Sequence, residues 1–241
     1  MLREDYLVRM ITQLIQALQY AAGLSKDHQF ADAISANKDA VQKLFALNDD
    51  ILDQLSGNEL VELVKMGEPD SVWPKKCRAL AALLAQQGDL YQHLAEPDRH
   101  YQRSLQALQL LLAMRNGGAV GSTTEIAVTE IDPIGTEALQ ALAEADYQPS
   151  VADLAATLSD YLLPAETTIK LWRYYEETGS FSQAEDILFE LIEANPDDHN
   201  LYRQGIAFYR RLLALDDHSL QAGNLPRPEV EAGLAELQNL S

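Results

Sequence analysis

The sequence is poor in the residues that usually announce a chemistry. It has 241 residues and a single cysteine, Cys77. One thiol excludes an internal disulfide and a cysteine-based zinc site, and suits a reducing cytoplasm. Basic residues are scarce, 18 against 37 acids, for a formal net charge of −19. Phosphate affinity needs clustered Lys and Arg, so this balance argues against nucleic-acid and anionic-membrane binding. No long apolar run occurs. Ala79 to Ala85 is the longest small-apolar stretch, against the ~18 residues a membrane helix requires. The opening Met1-Leu2-Arg3-Glu4-Asp5 lacks the apolar core expected of a secretory signal. Strand-type alternation is almost absent too.

What is present is helical periodicity. Tyr6, Leu7, Met10, Ile11, Leu14, Ile15 and Leu18 recur at intervals of three and four, one apolar stripe on a helix expected to end at Gly23. Similar patterns predict helices over 27–47, 50–56, 57–66, 74–94, 98–114, 133–145, 150–161, 164–178, 182–194, 198–214 and 227–239. The short connection Ala95-Glu96-Pro97 predicts an antiparallel helix pair on either side of it. The expected class is all-α, roughly a dozen helices. Asn116 to Thr124 is the one Gly-rich stretch, and the segment 116–132 reads as a loop between an N-terminal lobe, 1–115, and a C-terminal lobe, 133–241.

Candidate sites are few. Gly117 to Thr124 has no lysine and follows a helix, unlike a phosphate-binding loop. Asp197-Asp198-His199 and Asp216-Asp217-His218 combine groups that bind divalent metals, but both follow helix ends, where Asp accepts backbone N–H groups; capping is the expectation. His93 and His100 flank the 95–97 turn and read as solvated turn residues without a third ligand. Cys77 lies beside Lys75, Lys76 and Arg78, a setting that lowers a thiol pKa; a structural thiol on a helix face is the plainer reading. No catalytic, metal or cofactor site is predicted.

The most informative segment is 165–198, AETTIKLWRYYEETGSFSQAEDILFELIEANPDD. It resembles a tetratricopeptide repeat, a 34-residue helix–turn–helix unit. Leu171, Trp172, Tyr175, Gly179, Phe181, Ala184, Leu188 and Pro196 fall on its pattern positions. Trp172 departs from it, since the pattern asks for a small residue there. Weaker copies start near Phe30 and Leu84. The whole chain also resembles a bacterial family of uncharacterised TPR-like proteins, on its opening MLREDYLVRMITQL, central LWRYYEETGSFSQAEDILFELI and closing LPRPEVEAGLAEL.

That resemblance implies a TPR-like α-solenoid, a helix–turn–helix repeat array. The first helix of a repeat lines the concave face, which makes Glu166, Ile169, Lys170, Arg173, Glu176 and Glu177 the candidate partner-binding residues. The expected role is a non-catalytic cytoplasmic scaffold for a protein or peptide. Two alternatives stay open: an enzyme or small-ligand sensor with a pocket between lobes, and a self-associating structural protein. Residues 122–200 hold 17 acids and 2 bases, so a basic partner, or the more neutral lobe of a second copy, is the electrostatic match.

Overall fold

A computed structural model describes residues 2–116 and 149–240, and every regular element among them is an α-helix. There are twelve. The first seven are α1 (Leu2–Lys26), α2 (Phe30–Phe45), α3 (Asp49–Gln54), α4 (Gly57–Lys65), α5 (Trp73–His93), α6 (Pro97–Asn116) and α7 (Val151–Thr157). The remaining five are α8 (Ala165–Glu177), α9 (Phe181–Ala194), α10 (His199–Leu213), α11 (Asp217–Ala222) and α12 (Arg227–Leu240). The helix expected at 133–145 and most of the 116–132 loop lie outside the described residues. None of the described helices is long and apolar enough to cross a membrane.

The chain divides into two compact units, Met1–Leu162 and Leu163–Ser241. The boundary falls at the end of the α7 segment rather than in the Gly-rich stretch. The physical reason is that α7 packs on α6 and Tyr101 Oη donates to the Leu162 carbonyl at 3.0 Å.

In the first unit α5 is the central helix. Every residue from Ala79 to Gly88 is buried, with α1, α2, α4 and α6 packed around it. The predicted antiparallel pair is α5 and α6. Residues 94–96 join them, with Ala95 at φ +56°. The helices approach closely because position 88 is glycine: a Cβ there would sit 2.4 Å from Ser104 Oγ.

This core is unusually polar. Arg103 is 1% exposed. Its Nε donates to Gln87 Oε1 and its Nη1 to Gln106 Oε1, both at 3.1 Å. Nη2 reaches Asp53 Oδ1 at 2.5 Å. Gln87 continues to Asn37 Oδ1 at 2.9 Å, and Asn37 to Gln86 Oε1 at 2.8 Å. Gln106 Nε2 bonds the carbonyls of Leu52 and Leu55. Buried polar groups cost little only when paired, and these tie α2, α3, α5 and α6 into one register.

Two local expectations fail here. Helix α1 runs through Gly23 to Lys26. Its stop is made by His28 at φ +60°, with Gln29 N–H bonded to the Leu24 carbonyl at 2.9 Å. A glycine without packing contacts is tolerated within a helix, so it did not mark the end. His100 is not a solvated turn residue. It is 3% exposed, and its Nδ1 lies 2.9 Å from the Gly88 carbonyl. His93 is exposed and stacks on Phe30 at 4.7 Å. Cys77 is fully buried, and burial pushes its thiol up to about 12, so the neighbouring lysines do not activate it.

The second unit is built on apolar contacts. Leu171, Trp172, Phe181, Ala184, Leu188, Leu191, Phe208, Tyr209, Leu212 and Leu237 are buried in it. Helix α8 packs on α9, and α10 on α12. Residues 178–180 join α8 to α9, with Gly179 at φ +76°, the left-handed conformation that favours glycine. Ser180 precedes α9 but makes no side-chain cap, and Ser182 does not open the helix. Asp198 and Asp216 cap α10 and α11, accepting from the Leu201 and Ser219 N–H groups respectively.

Candidate functional site

Helices α8 and α10 flank a cleft of about 640 Å³ within the second unit. Its lining consists of Arg173, Glu176 and Glu177 from α8, Gly179 and Phe181 from the turn into α9, and Arg211, Leu212 and Leu215 from the end of α10. A smaller recess of about 230 Å³ is lined by Trp172, Arg173, Glu176, Gln204, Ala207 and Arg211. Three residues, Arg173, Glu176 and Arg211, line both.

Local sequence explains the placement. Residues 173, 176 and 177 are three and four apart and share one face of α8. Leu171 lies on the opposite face, and Trp172, one turn before Glu176, is buried beside them. Trp172 stands where the repeat pattern prefers a small residue, and its ring is accommodated edge-to-face against Phe208, centroids 5.9 Å apart. The indole is 2% exposed, and its Nε1–H has no hydrogen-bond partner.

Charge in the cleft is partly tied up. Arg211 Nε donates to Glu176 Oε1 at 2.6 Å and its Nη2 to Glu176 Oε2 at 2.9 Å. This fork-to-carboxylate pair bridges α10 to α8 and holds the Arg211 guanidinium pKa up. Arg173 is exposed and has no ion-pair partner among the described residues. Glu166, Ile169 and Lys170 do not line the cleft. Lys170 Nζ instead pairs with Glu166 one turn away on the same helix, at 2.7 Å. The structure thus brings three of the six sequence candidates to one cleft, and adds Arg211, Phe181, Leu212 and Leu215. No sequence signal marked Arg211, which is 35 residues from its partner Glu176.

A second electrostatic feature lies on α9, α10 and α12. Tyr209 Oη donates to Glu185 Oε1 at 2.6 Å. Burial pushes the Glu185 carboxyl up, the Tyr209 bond works the other way, and Asp186, Glu229 and Glu236 add to the rise. Among the described residues no group of three or more His, Cys, Asp and Glu is arranged to hold a metal. Each Asp-Asp-His triplet contributes a helix cap through one Asp.

The described residues define an all-helical protein with a cleft in its second unit. The chain belongs to DUF6483, a family of unknown function whose model matches residues 1–241. No curated protein and no solved structure matches it.

Proposed function

We propose that this protein is a non-catalytic, TPR-like helical scaffold that binds a protein or peptide partner at the α8/α10 cleft. The observation that carries the reading is the cleft itself. It combines the apolar surfaces of Phe181, Leu212 and Leu215 with Arg173, Glu176, Glu177 and Arg211 around them. Peptide grooves mix an apolar floor with a few polar groups that fix orientation. The α8–turn–α9 unit supports the repeat assignment: its helices cover the segment that resembles a repeat, with Gly179 in the turn and Ala184 fully buried in α9. The lining residues include no Cys, His, Ser or Lys that would serve as a nucleophile or base. The single buried Cys77 supports a reducing compartment, the cytoplasm.

The test is selection of a random displayed-peptide library on the full chain, with Leu215→Glu as the comparison. Leu215 is partly exposed at the cleft, so a charge there alters the floor without burying a new group. Enrichment of peptides by the native chain and not by the variant supports the reading. No enrichment, or equal enrichment by both, rejects it. The acidic setting adds a second readout: affinity for the selected peptides falls as salt rises, because their flanks face a negative surface.

A further inference from the structure

Helices α9, α10 and α12 meet in two stacked layers. In the first, Gly205 of α10 lies between Leu188 of α9 and Leu237 of α12. A Cβ at 205 would sit 2.6 Å from Leu237 Cδ1 and 3.2 Å from Leu188 Cδ2. One turn away along each helix stands the second layer, Glu185 of α9, Tyr209 of α10 and Gly233 of α12. Gly233 leaves the space that the Tyr209 phenol fills, since a Cβ there would overlap it. Tyr209 is fully buried, and its Oη donates to Glu185 Oε1 at 2.6 Å. Helix α12 therefore rests on a phenol whose hydroxyl ends on a half-buried carboxylate.

The titratable groups acting on that carboxylate are all acids: Asp186 on its own helix, Tyr209 on α10, and Glu229 and Glu236 on α12. Burial and the Glu185 bond push the Tyr209 phenol up, so it stays a donor and Glu185 is the group that titrates. The start of α12 is fixed separately. Arg227 Nη1 and Nη2 donate to the carbonyls of Leu213 and Leu215 at 3.1 and 2.7 Å, and its Nε pairs with Asp217. The helix is thus pinned at its N-terminal end, while Glu229 and Glu236 along it oppose an ionised Glu185.

We propose that α12 is a proton-operated latch, loosely held on α9 and α10 while Glu185 is ionised and locked down once Glu185 takes up a proton. The proton goes to one carboxylate oxygen, and the other keeps the Tyr209 hydrogen bond. Release of α12 removes Glu229 and Glu236 and opens the Tyr209 hydroxyl to water, so the released state holds that proton less tightly. Docking therefore strengthens as pH falls from neutrality and levels off below the ordinary carboxylate range. Loosening bares Leu188, Gly205 and Tyr209. None of these lines the α8/α10 cleft, so the latch stands apart from the peptide-binding reading.

Hydrogen exchange of the full chain tests this, with each rate divided by the intrinsic rate at the same pH. At about pH 8, amides over 233–238 should be about tenfold less protected than those around Leu188 in α9, because α12 opens alone. Toward about pH 5 the α12 protection should rise about tenfold. Glu185→Gln keeps an acceptor for Tyr209 without a charge, and should hold α12 at the protected level at both pH values. Glu229→Gln combined with Glu236→Gln changes only exposed side chains. It should raise α12 protection at the higher pH and shrink the response, and it decides the matter if Glu185→Gln fails to fold. Equal protection of α12 and α9 at the higher pH means that α12 opens only with the whole unit, which overturns the latch. A response that survives in Glu185→Gln overturns it as well, as does a double variant that behaves like the native chain.

Discussion

The two units differ in how many polar groups they bury. The first unit buries Asn37, Gln86, Gln87, His100, Arg103, Ser104, Gln106 and Gln109, and apart from the Ser104 hydroxyl their side-chain groups find partners inside the protein. Among the described residues the second buries only Thr167, Tyr202 and Tyr209 as hydroxyl-bearing residues, and leaves the Trp172 N–H unpaired. A satisfied network fixes helix register and offers nothing to a ligand. The contrast teaches that the two units hold their helices in register by different means, the first through a paired polar network and the second through apolar packing.

The largest expected effect would break the first half of that contrast. Arg103→Ala removes the hub linking Gln87, Gln106 and Asp53 and opens a cavity. It should cost about 2–5 kcal/mol, from the cavity and from the buried Gln87 and Gln106 oxygens left without their donor. Hydrogen exchange across α5 and α6 in the full chain should show the loss there and leave α8–α12 protected. Uniform loss across both units would mean that they unfold together.

Next is Gly88→Ala. The new Cβ would stand 2.4 Å from Ser104 Oγ, forcing α5 and α6 apart at a cost of about 1–3 kcal/mol. Chemical denaturation of the double variant with Ser104→Ala should recover part of it, because the clashing atom is then gone. No recovery would mean that the backbone contacts, 3.4–3.5 Å away, set the cost.

The third prediction concerns pH in the second unit. Glu185 has its folded pKa raised by burial and by Asp186, Glu229 and Glu236. The folded state therefore binds its proton more tightly than the unfolded chain does. Stability of this unit should rise as pH falls from neutrality through the raised pKa, and level off below the ordinary carboxylate range. Glu185→Gln should flatten that dependence in thermal melts read by hydrogen exchange or local probes. A variant as pH-dependent as the native chain would assign the effect to other acids.

The smallest effect belongs to Arg211→Gln. Arg211 is 55% exposed and pairs with Glu176, a geometry worth about 0.2–1 kcal/mol at a surface. The melting temperature should barely move. A large destabilisation would show that the cleft bridge is a structural support, and would weaken the contrast between a packed first unit and an available second one.

Some of this was legible in the residue order. The α8–turn–α9 hairpin follows from Gly179, Phe181 and Ala184, each of which acts within a few residues of itself. Ser150 and Asp153 announce the capping box that opens α7. His100 was misread because its proximity to a turn said nothing about which face of α6 it occupies. Arg211 went unseen because its partner is supplied by another helix. The short α11 carries too few turns for a periodic signal.

Local chemistry, then, determined the helices, the tight turns and an acidic, all-α chain with a single thiol, because those depend on spacing and on groups a few bonds apart. Tertiary structure alone decided where the units divide, that Arg103 would be sealed in a network, and that the Arg173, Glu176 and Arg211 side chains would meet beside Trp172. Those outcomes depend on which helix faces are brought together and which donors are left unpaired once they are, and no window of neighbouring residues contains that information.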